Sequence, residues 1–192
     1  KEAKRWYDFN ASSRYYHNWA HAQKVMAALP IKPSESLYIA AMWHDAVYIP
    51  GAPNASNEQS SASALEFVCG SCGFDKKSDV IIEAKTLILG TSLSWHLLKE
   101  DDCSCLSLDH AYLLDADLSS LADPYEDFHA NQCSILMENG LEPNKENLKN
   151  SAKFLLNFFR ARNNIYHTLS GRKRWEKAAR INILTFLGEI LD

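Results

Sequence analysis

At 192 residues, with 46% hydrophobic and 23% charged residues, the chain has ordinary globular composition, enough for one domain with its own core and unlike a disordered or fibrous protein. A formal charge of -4 lacks the basic footprint of a protein that grips nucleic-acid backbones, so no nucleic-acid polymer is expected as a partner. Apolar runs such as Leu87-Ile88-Leu89 are far too short to span a bilayer, and no membrane association is expected.

Five cysteines, an odd number, do not make a disulfide framework, and reduced cytoplasmic thiols fit better. Cys69 and Cys72 have zinc-ligand spacing, but the second pair, Cys103 and Cys105, does not repeat it, which favours small thiols at helix ends. No charged segment followed by an apolar one opens the chain. The glycosylation triplets at Asn10 and Asn54 matter only in a secreted protein.

The pattern is helical almost throughout. From Arg14 to Leu29, apolar residues recur at three- and four-residue spacing and stop at Pro30. Arg14, His17 and His21 fall within roughly 60° of one another around that helix, which predicts a core face and a chemical face on one element. Ser34 is a natural N-cap for the next helix. There Leu37, Ala40, Ala41 and His44 share a face, so His44 should enter the core, and Pro50-Gly51-Ala52-Pro53 should end the element.

A third helix is expected from Asn57 to Val68, and a fourth from Asp75 or Ser78 to Gly90 with the cleanest apolar stripe of the chain. Residues 91–105 read as a loop holding one turn. A fifth helix, residues 106–121, carries Asp115 and Asp117; Asp123-Pro124 opens a sixth that closes at Asn139-Gly140. Two more follow, Lys145 to Arg162 and Arg172 to Leu191. With no alternating strand pattern and no repeat, the expectation is a single all-α domain over residues 1–192.

Chemistry concentrates in a few of these elements. His17 and His21 stand at i, i+4, a spacing that lets two rings converge. A core-facing His44 beside Asp45 needs polar partners if buried, and a divalent ion would satisfy imidazoles and carboxylates together. Asp115 and Asp117 point roughly 200° apart around a helix, so only one should enter the core and the other should be solvated or cap a helix.

Five ordered blocks complete the pattern: Arg14-x-Tyr16-His17-x-x-x-His21, His44-Asp45-x-Val47-Tyr48, Asn57-Glu58-x-x-Ser61-Ala62, Asp115-Ala116-Asp117-Leu118 and Ala179-Arg180-x-Asn182. In this order they resemble the HD-domain phosphohydrolase superfamily, and more narrowly its small bacterial predicted metal-dependent members. The resemblance implies a single helical HD-domain bundle and metal ligation by His21, His44, Asp45 and Asp117. Asp117 is preferred to Asp115 because the last ligand of the superfamily sits in an Ala-Asp-Leu context. The stretch from Tyr16 to Ala22 is also similar to the signature of cyclic nucleotide phosphodiesterases, which implies that His17 donates a proton.

The activity so implied is hydrolysis of a phosphate ester or anhydride in a nucleotide-like small molecule, by water that a divalent ion activates. Mn, Mg, Fe, Co, Ni and Zn fit equally; one metal is favoured and a second is left open. Glu58 is the candidate to orient or deprotonate water, Arg14 would clamp a phosphate through its planar fork, and Lys85 and Arg180 are further substrate-binding candidates. Tyr48 and Trp95 could stack a base or serve as packing. His96 and His110 lie where metal pairs add histidines, without a matching motif, and Ala130-Asn131-Gln132-Cys133-Ser134 departs from the charged block of the family at that place. The rival function is a binding or sensing module that keeps the fold without turnover.

Overall fold

The computed structural model describes residues 1–9, 11–97 and 106–191; Asn10 and the Cys103/Cys105 pair lie outside them. The fold is all-α, and no strand occurs among the described residues. In chain order the helices are α1 (Glu2–Asp8), α2 (Trp19–Ala28), α3 (Glu35–Trp43), α4 (Ser56–Ser71), α5 (Asp79–Leu89), α6 (Leu93–His96) and α7 (Leu108–Asp117). A 3-10 segment, Leu118–Ala122, leads to α8 (Tyr125–Glu138) and α9 (Lys145–Ala161), and a short turn, α10 (Leu169–Gly171), precedes the last helix, α11 (Lys177–Leu191). No helix among the described residues is long and apolar enough to cross a membrane.

Local chemistry sets most of the boundaries. The Ser34 hydroxyl accepts from the Leu37 N–H and starts α3, Ser107 does the same for α7 through His110, and Asn144 opens α9 through Asn147. Gly140, at φ +72°, lets the chain leave α8 through the left-handed region.

Three expected elements differ: the helix expected over residues 106–121 ends at Asp117 and gives way to the 3-10 segment. The helix expected from Arg14 begins only at Trp19, because Asn18 adopts an extended backbone and its side chain accepts from Ala20 N and His21 N. Asn18 is thus an N-cap, and Arg14 and His17 precede the helix rather than share its face. The last helix is interrupted: residues Arg172–Glu176 form a π-helical stretch between α10 and α11.

The interior has two apolar clusters. The first gathers α1 to α5 and α7 around Tyr7, Val25, Leu37, Ile88 and Leu113, with α3 packed along α5. The second gathers α8, α9 and α11 around Phe128, Leu155, Tyr166, Ile183 and Phe186, with α9 packed along α11. Trp175, in the π-helical stretch, packs against both. A cavity of about 380 Å³ opens between them.

Candidate metal centre

His21 projects from the first turn of α2, His44 caps the C-terminal end of α3, Asp45 follows it, and Asp117 ends α7. One donor atom from each lies within 4.8 Å of all the others, and the group could hold a metal ion. His21 Nε2 is 3.2 Å from His44 Nε2, Asp45 Oδ2 is 3.0 Å from His44 Nε2, and Asp117 Oδ1 is 3.1 Å from His21 Nε2.

Orientation comes from the next layer out. His44 Nδ1 lies 2.9 Å from the Ala41 carbonyl, which can only accept, so Nδ1 carries a proton and Nε2 is left for the centre. His44 is buried, as expected from its place on the α3 face.

The electrostatics suit exchange of protons for a cation. Burial alone would push Asp117 up, but hydrogen bonds from His21, His44 and His96 outweigh it and hold the carboxyl well below the usual range. Asp45 is depressed in the same way, chiefly by His44. Burial opposes charge on His44, yet Asp45 and Asp117 raise its pKa well above the ordinary value. Two nitrogens and two carboxylates crowded together therefore draw positive charge. A divalent ion with mixed nitrogen and oxygen preference fits that donor set, and its binding would displace protons.

His17 borders the same cavity and is held from three sides. Its backbone N–H donates to Glu138 Oε1 at 3.1 Å, its Nδ1 lies 2.5 Å from Glu138 Oε2, and its ring stacks on Tyr48 at 3.9 Å between centroids. Glu138, the last residue of α8, has a fully buried side chain. Burial pushes the Tyr48 hydroxyl up to about 12, so it stays neutral beside that pair. Glu58 also lines the cavity, and burial together with the charges of Asp45 and Asp117 raises its pKa.

Two further residues border the centre, one noted in sequence by position alone and one missed. His96, in α6, places Nε2 3.1 Å from Asp117 Oδ2, and its buried Nδ1 has no hydrogen-bond partner among the described residues. Glu138 stands 121 residues from His17 and gives no local signal in the sequence. Trp95 packs on His110, whose Nε2 is 2.7 Å from the Gly90 carbonyl, so His110 serves that helix end rather than the centre.

Three expected substrate contacts are placed elsewhere. Arg14 is buried; its Nη2 donates to the carbonyls of Asp45 at 2.9 Å and Ala46 at 3.3 Å, and its guanidinium lies over Tyr7. It holds the His44-Asp45 turn from behind instead of clamping a phosphate. Lys85 pairs with Glu66 of α4, away from the cavity. Arg180 pairs with Glu176 at 2.6 Å and donates to the Asn163 carbonyl. Its neighbour Asn182 donates to Leu121 O and Asp123 O, which ties α11 to the segment after Asp117.

Asp115 corrects a further expectation. Only Asp117 joins the centre, but Asp115 is not solvated: it is buried in the last turn of α7, and its carboxylate meets the N-cap residue of α10. It is 1% exposed and accepts from His167 N at 2.6 Å, Thr168 N at 2.9 Å and Thr168 Oγ1 at 2.7 Å. A side chain at Gly171 would collide with this carboxylate, so glycine there is a packing requirement.

No protein-family model matches the chain, and no curated protein matches it.

Proposed function

We propose that the protein is a metal-dependent phosphohydrolase of the HD-domain type, one domain that cleaves a phosphate ester or anhydride of a nucleotide-like small molecule in the cytoplasm. The observation that carries this reading is the meeting of His21, His44, Asp45 and Asp117 beside the His17–Glu138 pair on one cavity. The five sequence blocks that resemble the superfamily support it independently.

A divalent ion held by the four side chains would supply positive charge for a phosphoryl oxygen and acidify water beside it. The chain's own groups do the rest. Glu58, its pKa raised by burial, accepts a proton from the attacking water as the new oxygen–phosphorus bond forms. His17 keeps one proton on Nδ1 toward Glu138 and delivers another from Nε2 to the leaving oxygen as the old phosphorus–oxygen bond breaks. Tyr48, stacked on the ring, fixes its plane.

The test is turnover of phosphomonoesters, diesters and nucleotides by protein loaded with Mn²⁺, with bound metal measured on the same sample. Hydrolysis that disappears in Asp45→Ala together with the bound metal is the expected result. Turnover unaffected by that substitution, or purified protein that takes up no divalent ion, would overturn the proposal.

A further inference from the structure

The two sides of the cavity differ in kind. The side from the first cluster presents Asp45, Glu58 and Asp117, and the side from α8 and α9 presents Asn131, Gln132, Ile135, Phe154 and Leu155. No lysine or arginine lines the cavity among the described residues.

The two amides of α8 are each half engaged, with opposite groups left over. Asp123 is ion-paired with Lys24 and can only accept, so the Asn131 amide faces it with Nδ2, at 3.4 Å, and keeps its carbonyl free of other partners among the described residues. Gln132 is 5% exposed and accepts from Ser151 Oγ at 2.9 Å through its carbonyl, which leaves its NH₂. Adjacent residues thus offer the cavity one acceptor and one donor. Phe154, half exposed at the same cavity, adds an aromatic face.

We propose that Asn131, Gln132 and Phe154 read the base of a nucleoside monophosphate, and that the site discriminates against nucleoside polyphosphates. This rests on the phosphohydrolase reading above. The pairing edge of a nucleobase carries a donor next to an acceptor, which complements the two amides, and its face stacks on an aromatic ring. The charge argument is independent of the edge. One phosphate is neutralised at the metal group, whereas further phosphates would meet Glu58 and no lysine or arginine of the described wall, the His17 ring being committed to Glu138 and the leaving oxygen. The cavity volume of about 380 Å³ also suits one small ligand.

The experiment compares uridine 5′-monophosphate, uridine 5′-triphosphate, ribose 5-phosphate and phenyl phosphate with Mn²⁺-loaded protein. The monophosphate should exceed the triphosphate and the sugar phosphate by about tenfold or more in kcat/KM. Its ratio to phenyl phosphate, which has a flat face without the edge, should fall about tenfold in Gln132→Leu and in the more exposed Asn131→Leu, mainly through KM. Equal use of triphosphate or ribose 5-phosphate, or a ratio unmoved in both variants, overturns the inference. Should no ester be hydrolysed, the phosphohydrolase reading fails by itself. Calorimetry then decides the base site: the monophosphate binding about tenfold more tightly than inorganic phosphate, with the gain lost in Gln132→Leu, upholds it, and equal affinities sink it.

Discussion

Asp115 and Asp117 lie on the same helix, both are withdrawn from solvent, and they serve different halves of the molecule. Asp117 turns to the first cluster, where it meets His21, His44 and His96 and its charge is matched by groups that can gain or lose protons. Asp115 turns to the second, where it is met by backbone N–H groups and a hydroxyl that cannot change charge. Burial raises the pKa of Asp115 while the histidines depress that of Asp117. A carboxylate among fixed dipoles is a fastener; one among imidazoles is a ligand in waiting.

Substitutions separate the two roles. On the proposed function, Asp117→Ala should lower phosphoester turnover by about 10³-fold and remove the rise in thermal midpoint expected of the wild type with Mn²⁺, checked by steady-state assay and calorimetry. Asp115→Ala should cost about 3 kcal/mol of stability, roughly 6–12 °C in midpoint, because three donors lose their acceptor in a buried place. A metal response that survives in Asp115→Ala but not in Asp117→Ala would uphold the contrast; the reverse pattern would break it.

Smaller effects sharpen it. His17→Asn should reduce turnover about 10²-fold while metal content holds, since in the proposed mechanism the ring moves a proton without ligating. Acidification should weaken the second cluster. Burial and the Arg162 cation push His167 down from 6.5 to about 3, so it is held neutral in the folded chain. The unfolded chain takes up that proton first, so the stability from His167 is full above about pH 6.5 and declines as the pH falls toward 3. His167→Gln should flatten the fall in midpoint between about pH 6.5 and 5. Lys85→Ala, at a half-buried surface pair with Glu66 away from the cavity, should change turnover by less than about twofold.

Much of the first cluster was legible in sequence. Ser34 as a cap, the apolar face that buries His44 and the stripe of α5 ending at Gly90 are local patterns, and the structure has each of them. The periodicity that led into His17 misled, because Tyr15 and Trp19 continue a helical spacing across a break that Asn18 imposes. Asn18 carries its own signal as a capping residue, and the stripe masked it. Sequence position alone does not separate His96, which meets Asp117, from His110, which does not. Glu138 and the partners of Asp115 are not legible, since each depends on which distant segment packs alongside. The same holds for Arg14, whose side chain is spent on two backbone carbonyls 31 and 32 residues away.

Asp117 draws its histidines from α2, the end of α3 and α6, the first of them 96 residues away along the chain. No fragment holding only one of these segments contains the group. Closing so long a loop costs entropy before any contact rewards it, which predicts that the centre assembles late in folding. Divalent ions should therefore slow unfolding while leaving the early folding phase at its metal-free rate. In kinetic terms, the centre is a latch on a finished structure rather than a seed for it.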